Sequence, residues 1–293
     1  MRDYYGLTKS GLVFGNVITV IAGFLLASQG GIDVGLLIFT IAGICLVMAS
    51  GCVFNNYIDR DIDAKMPRTK DRALATGRIS PENAFIFGTV LGVIGFIVLI
   101  VFTNYLTVAA AFIGFFFYVF MYSLWFKRRT TWGTFIGAIA GATPPVVGYF
   151  AAGDRLDAGA ILLFVMLILW QMPHFFAIAI RRAEEYAAAE VAVMPVKKGT
   201  GVTKIKMTLY IILFIFVAPL LTVFGYTGEA YLWIALPLGL VWLALCVQGF
   251  WIDDPEENVR WARAMFLFSL FVMVAIFITI SLARIIALSF PGR

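Results

Sequence analysis

Charge is what this chain has least of. Asp, Glu, Lys and Arg make up 13% of its 293 residues, against roughly 25% in soluble domains. There is one histidine, His174, and there are three cysteines, Cys45, Cys52 and Cys246. The cysteines form no CxxC pair, which excludes a disulfide framework and a zinc ribbon. No polar stretch is long enough to fold as a separate soluble domain. The net charge of +5 is not a nucleic-acid signal, because the cations are spread through short loops beside apolar runs, where they set membrane orientation. The start of the chain lacks a signal-peptide pattern: Lys9 leads into a run that stays apolar to Ala27, read as a retained span.

What the chain has instead is apolar length. It is 62% hydrophobic with 28 Phe, and its mean hydropathy is +0.95. Apolar runs cover 10–28, 35–54, 82–102, 106–126, 132–151, 158–180, 205–225, 230–250 and 264–288. Each is near the ~20 residues that cross a hydrocarbon core, and helices are the form that satisfies backbone polar groups there. The expected fold is an all-α integral membrane protein, nine transmembrane helices around a central cavity, forming one membrane domain over 1–293. With the N-terminus on one side, all of the 22 Lys and Arg except Arg155, Arg284 and Arg293 fall on that side. This bias places the N-terminus and the longer loops in the cytoplasm, and the cytoplasmic face is where function is expected.

The second run ends unusually, in FNNYIDRDIDAKMPRTKDRALATGR, residues 54–78. On a continuing helix Asn55, Asp59 and Asp63 fall at i, i+4 and i+8. Each step of four advances about 40°, so they share one face. Asn56 joins that side and Asp61 points away. Carboxylates on adjacent turns repel, and a divalent cation between them relieves the repulsion. Magnesium favours one or two carboxylates plus substrate phosphate oxygens. The cations that follow, Lys65, Arg68, Lys70 and Arg72, suit the rest of a diphosphate's charge.

Other polar residues sit within or beside spans. Asn16 has two readings, a bond to a neighbouring helix or a place in a polar cavity with Asn55. Ser80-Pro81 caps the third span. Lys127, Arg128 and Arg129 close the fourth. The fifth carries Gly133, Gly137, Gly141 and Gly148, spaced for close helix approach, with Pro144-Pro145 breaking the ladder beside a cavity. Pro219 and Pro237 are expected to kink the seventh and eighth. The sixth ends in WQMPHFFAIAIRRAEEY, residues 170–186. Gln171 and His174 are polar groups inside a span, which tend to mark function. Arg181 lies nearly on the face of His174, and Glu184 and Glu185 follow. This second polar helix end suggests a pseudo-repeat of the first. The stretch 251–263 reads as a solvated connection.

Taken together, NNYIDRDID followed by RTKDR resembles the NDxxDxxxD signature, with its trailing Arg-Thr-x-x-Arg, of the UbiA superfamily of intramembrane prenyltransferases. LTK before Asn16, ASGCVFNNYIDRDID, YSLWFKRRTTWGT, GATPPVVGY, and WQMPHFFAIAIRR with MPV at 194–196 resemble its heme-farnesylating branch over nearly the whole chain. Asn56 stands where many members carry aspartate, and Ser10 replaces a proline. His174 and Arg181 stand where aromatic-substrate branches carry aspartates, which argues against a hydroxybenzoate acceptor. The resemblance implies nine helices and Mg2+-dependent transfer of farnesyl from farnesyl diphosphate to a vinyl group of heme b, with water added, giving heme O. It implies that Asn55, Asp59 and Asp63 hold magnesium, and that Lys127, Arg128, Arg68 and Arg72 neutralise the leaving group. Asn16, Asn56, Gln171, His174, Arg181 and Glu185 would contact substrate, His174 through heme iron or a propionate. A lateral opening to the lipid bilayer, a site on the cytoplasmic face of the cell membrane, and a heme A synthase or terminal oxidase assembly as partner follow from the same resemblance. The competing expectations are a quinone-precursor or chlorin acceptor on the same fold, and a membrane transporter, which predicts polar residues through to the opposite face.

Overall fold

A computed structural model describes residues 1–289; Arg293 lies outside them. Among the described residues there is no strand, and nine helices are long and apolar enough to cross a membrane. They are α1 (Ser10–Ala27), α2 (Val34–Ile58), α3 (Pro81–Phe102), α4 (Tyr105–Arg129), α5 (Gly133–Gly153), α6 (Ala158–Arg181), α7 (Met194–Val223), α8 (Glu229–Trp251) and α9 (Pro255–Ile286).

Local chemistry fixes their starts. Asp33 Oδ1 accepts from Leu36 N at 2.9 Å, Ser80 Oγ from Asn83 N at 3.2 Å beside Pro81, and Asn104 Oδ1 from Thr107 N at 2.9 Å. Such caps are each worth about 1 kcal/mol. Two starts differ from expectation. The stretch 251–263 is not a solvated connection throughout: α9 begins at Pro255, where Asp254 Oδ2 accepts from Glu257 N at 2.8 Å and Glu256 and Glu257 complement the helix dipole. α7 begins at Met194, before a break at Gly199 with φ 83° that separates a first turn from the membrane helix. Pro219 coincides with a turn late in α7, whereas α8 stays helical through Pro237.

Helices with no hydrophobic drive to associate in lipid pack where small residues let backbones approach. A Cβ on Gly148 would collide with the Val20 carbonyl, and one on Gly23 with the Pro145 carbonyl, so α1 and α5 lie backbone to backbone. Ser50 Oγ donates to Gly88 O at 2.6 Å between α2 and α3. α1 also touches α9, which packs on α6 and α8. The main core includes Leu163, Met166, Phe176, Phe214, Trp242 and Phe277. The face of α2 that carries Asn55 is thereby turned toward α1 and α4.

Candidate active site

The backbone ladder of α2 continues past its end. Asp59 N donates to Asn55 O at 2.9 Å and Asp63 N to Asp59 O at 2.8 Å, so the i, i+4, i+8 face survives into the short helix Arg60–Lys65. Asn55, Asp59 and Asp63 are 4%, 1% and 5% exposed, and all three line a cavity of about 490 Å3. Carboxylates this buried require paired charge and hydrogen bonds. Lys127 Nζ pairs with Asp59 Oδ2. Arg72 Nη1 donates to Asp63 Oδ2 at 2.7 Å and to Asn56 Oδ1 at 3.0 Å. Lys9 Nζ donates to Asn55 Oδ1, and Asn55 Nδ2 donates to Asp59 Oδ2 at 2.8 Å and Ser123 Oγ at 2.9 Å.

Lys9 arrives by a strained turn. Its φ and ψ are 49° and 51°, a left-handed conformation costing roughly 1–2 kcal/mol in a non-glycine residue. The preceding helix Arg2–Leu7 is tied down at both of its ends. Leu7 packs with Val53, Ala73 and Leu74, its carbonyl accepts from Asn56 Nδ2 at 2.8 Å, and Asp3 pairs with Arg78 at 3.2 Å. Burial pulls the Lys9 ammonium down to about 8.

The C-terminal half of α4, Phe117–Phe126, is wound as a π-helix, a form found frequently at functional sites. Lys127 N and Ser123 Oγ each bond a carbonyl five residues back, on Tyr122 and Tyr118, the latter at 2.8 Å. This winding brings Tyr118, Tyr122 and Lys127 to the cavity wall, with the two rings stacked at 6.0 Å and 11°.

The other expected site residues divide. Arg68, Arg72 and Arg181 line the cavity, Arg181 with its guanidinium 5.8 Å from the Phe266 ring centre. Arg128 does not. It is held outside by a two-pronged pair with Asp61, both contacts 2.7 Å, and by the Ile58 carbonyl at 2.7 Å. That guanidinium holds the Asp61 carboxyl down at about 2. Asn56 braces Leu7 and Arg72 instead of meeting the cavity. Asn16 takes up neither expected role: its Nδ2 donates to Leu12 O of its own helix at 2.9 Å, and it lies off the cavity. Gln171 Nε2 donates to the Ala138 and Leu167 carbonyls, both at 3.1 Å. Glu185 pairs with Arg182 at 2.6 Å. His174 Nδ1 is 2.7 Å from Ser269 Oγ, its ring between Trp170 and Phe266. None of these last three lines the cavity.

Sequence reasoning missed Lys9, Tyr118, Tyr122 and Ser123 as site residues. The signal for Lys9 was its place at the head of an otherwise uncharged run. For α4 it was the spacing Tyr118–Tyr122 and Ser123–Lys127, each one turn apart.

The residues fit a hard divalent cation. Asp59 Oδ1 is buried and takes no hydrogen bond from any described residue, and two carboxylates with an amide oxygen are a hard donor set. Among the described residues no group of three His, Cys, Asp or Glu makes a metal cage. A cation here would complete its shell with water or substrate oxygens, as magnesium does with phosphates.

The sequence pattern of the UbiA prenyltransferase family matches residues 16–270. A protoheme IX farnesyltransferase of Protochlamydia amoebophila (strain UWE25) is 49% identical over 281 residues, 96% of this chain and 98% of that protein. One from Sodalis glossinidius (strain morsitans) is 48% identical over 270 residues, 92% of this chain and 90% of that protein. Among solved structures, a digeranylgeranylglyceryl phosphate synthase superposes with a TM-score of 0.80 at 20% identity, covering 97% of this chain and 98% of the other. A UbiA homolog from Archaeoglobus fulgidus bound to DMAPP and Mg2+ superposes with a TM-score of 0.73 at 13% identity, covering 92% and 99%.

Proposed function

The chain belongs to the UbiA prenyltransferase family, and on that premise we propose that it transfers farnesyl from farnesyl diphosphate to a vinyl group of heme b. Water is added, and heme O and diphosphate are released. The relatives at 45–49% identity are protoheme IX farnesyltransferases, which supports this acceptor over a quinone precursor or chlorin. The observation that carries the reading is the buried Asn55–Asp59–Asp63 face meeting Lys9, Lys127 and Arg72 in one cavity.

Asn55, Asp59 and Asp63 would hold magnesium, which when bound polarises phosphoryl oxygens and stabilises the leaving diphosphate. Lys9, Lys127, Arg68 and Arg72 supply preorganised positive charge for that leaving group. Tyr118 and Tyr122 present ring faces beside it, suited to the allylic cation left on the farnesyl chain. The electron-rich vinyl carbon attacks that cation, the new carbon–carbon bond forms, and water adds to the remaining vinyl carbon with loss of a proton. Arg181 receives a heme propionate. His174 supports that wall from behind, its ring packed on Phe266, which lines the cavity beside Arg181. Ser269 Oγ donates to Phe266 O at 2.6 Å, so Nδ1–H of His174 donates to Ser269 and Nε2 keeps its lone pair. The single membrane domain sits in the cell membrane with this cavity toward the cytoplasm, in keeping with the cation bias of the loops.

The test is transfer by purified protein in nanodiscs supplied with heme b, farnesyl diphosphate and magnesium, read by product mass. The expected product is heme heavier by farnesyl plus water. Farnesylation of a quinone precursor but not of heme would overturn the acceptor.

A further inference from the structure

Each acidic or amide side chain on the cavity face of α2 and its extension already holds a side-chain cation on one oxygen. Lys127 sits on Asp59 Oδ2, Arg72 on Asp63 Oδ2, and Lys9 on Asn55 Oδ1. Asp59 Oδ1 is buried without a hydrogen-bond partner among the described residues. The wall carries Lys9, Arg68, Arg72, Lys127, Arg181 and Arg182 against the two carboxylates, so its field is positive before any ligand is considered. Like charges a few ångströms apart at a partly buried site repel far more strongly than in water. A bare dication entering beside two ammonium groups therefore meets a repulsion that two carboxylates already paired with cations do not offset.

The three cations are not equally fixed. Arg72 is braced by two acceptors, Asp63 and Asn56. Lys127 and Lys9 each hold one side-chain acceptor by a point charge on a flexible four-carbon stem. They can leave Asp59 and Asn55 for another anion within reach without unfolding anything. The anion they need is one that accompanies the metal.

We propose that Lys9 and Lys127 are exchangeable counter-ions, which cede Asn55 and Asp59 to a divalent cation only when diphosphate oxygens receive their ammonium groups. The site then selects the metal–diphosphate complex over the free metal, and the two lysines set that selectivity. Lys9 does so from outside the membrane helices, held by the left-handed turn and the Arg2–Leu7 helix. No covalent step is involved; each lysine exchanges one oxygen partner for another. This inference rests on the prenyltransferase reading above.

The test uses full-length protein in nanodiscs and two probes: free Mn2+ and a preformed Mn2+–pyrophosphate complex, each titrated by electron paramagnetic resonance. Wild type is expected to bind the complex at least about tenfold more tightly than free Mn2+, within the ordinary range of site-to-site coupling. Lys127→Met is expected to bind free Mn2+ severalfold more tightly than wild type and the complex about tenfold more weakly. Lys9→Met should shift both affinities the same way, and it carries the test should Lys127→Met fail to insert. Both variants leaving free-Mn2+ affinity unchanged or lower would overturn the proposal while the metal site stands. Neither probe binding wild type would overturn the metal reading itself, and this proposal with it.

Discussion

The C-terminal ends of α2 and α6 carry polar residues at similar helical spacing, and the fold uses them in opposite ways. At the end of α2, Asn55, Asp59 and Asp63 all face the cavity. At the end of α6, Gln171, His174 and Glu185 are turned to Ala138, Ser269 and Arg182, and of the expected residues Arg181 alone reaches the cavity. The difference follows from charge. A buried amide or imidazole is satisfied by one or two neutral partners and can be absorbed as interhelical glue. Two buried carboxylates cannot; they draw Lys127 from α4 and Arg72 from the connection after α2, and concentrate charge in one place. Helical spacing identifies residues that share a face. Their charge decides whether the face becomes a site.

Substitutions should separate the two ends. The largest effect is expected from Asp59→Asn with Asp63→Asn, which should lower farnesyl transfer by about 10³-fold or more while the protein still inserts, as measured by product formation in nanodiscs. Lys127→Met should follow, with a loss of about 10²-fold in the same assay, because one preorganised donor to the leaving group is removed. Arg128→Ala, although next in sequence, should cost no more than about fivefold. Its partner Asp61 is mostly exposed, with a side-chain exposure of 60%, and such pairs are worth about 1 kcal/mol at most. Reversing the pair, Asp61→Arg with Arg128→Asp, should recover that loss if the pair only ties α4 to α2. On the α6 side, Gln171→Leu should lower the apparent melting temperature by the loss of about 1 kcal/mol of hydrogen bonding and leave affinity for Mn2+–pyrophosphate unchanged. Glu185→Gln should be smallest, within about 0.5 kcal/mol in stability.

Much of this arrangement was legible in the residues. The spans are long apolar runs, and the α2 face depends only on spacing within one helix, so both could be read locally. What escaped the sequence depends on chain geometry or on distant partners. Lys9 reads as an ordinary charge at a span's start; its role comes from a positive φ and from Asn55, 46 residues away. The π-winding of Phe117–Phe126 leaves no mark in composition, yet it places Lys127 on Asp59 and gives Arg128 to Asp61. The start of α9 is legible too: Asp254-Pro255-Glu256-Glu257 is a helix-start pattern inside the charged stretch 251–263. The expectation for Asn16 failed because an amide in a helix can bond the carbonyl four residues back, here Leu12, and need no neighbour.

In the proposed mechanism labour is divided between the two ends, with diphosphate and metal at α2 and porphyrin at α6. The most direct test is a crossed binding measurement on Asp59→Asn and His174→Ala, using Mn2+–pyrophosphate by electron paramagnetic resonance and heme b by its Soret band. Asp59→Asn is predicted to lose the metal complex and keep the wild-type heme spectrum. His174→Ala is predicted to keep the metal complex and shift or weaken heme binding. Loss of the same ligand in both variants, with each still folded, would contradict the division.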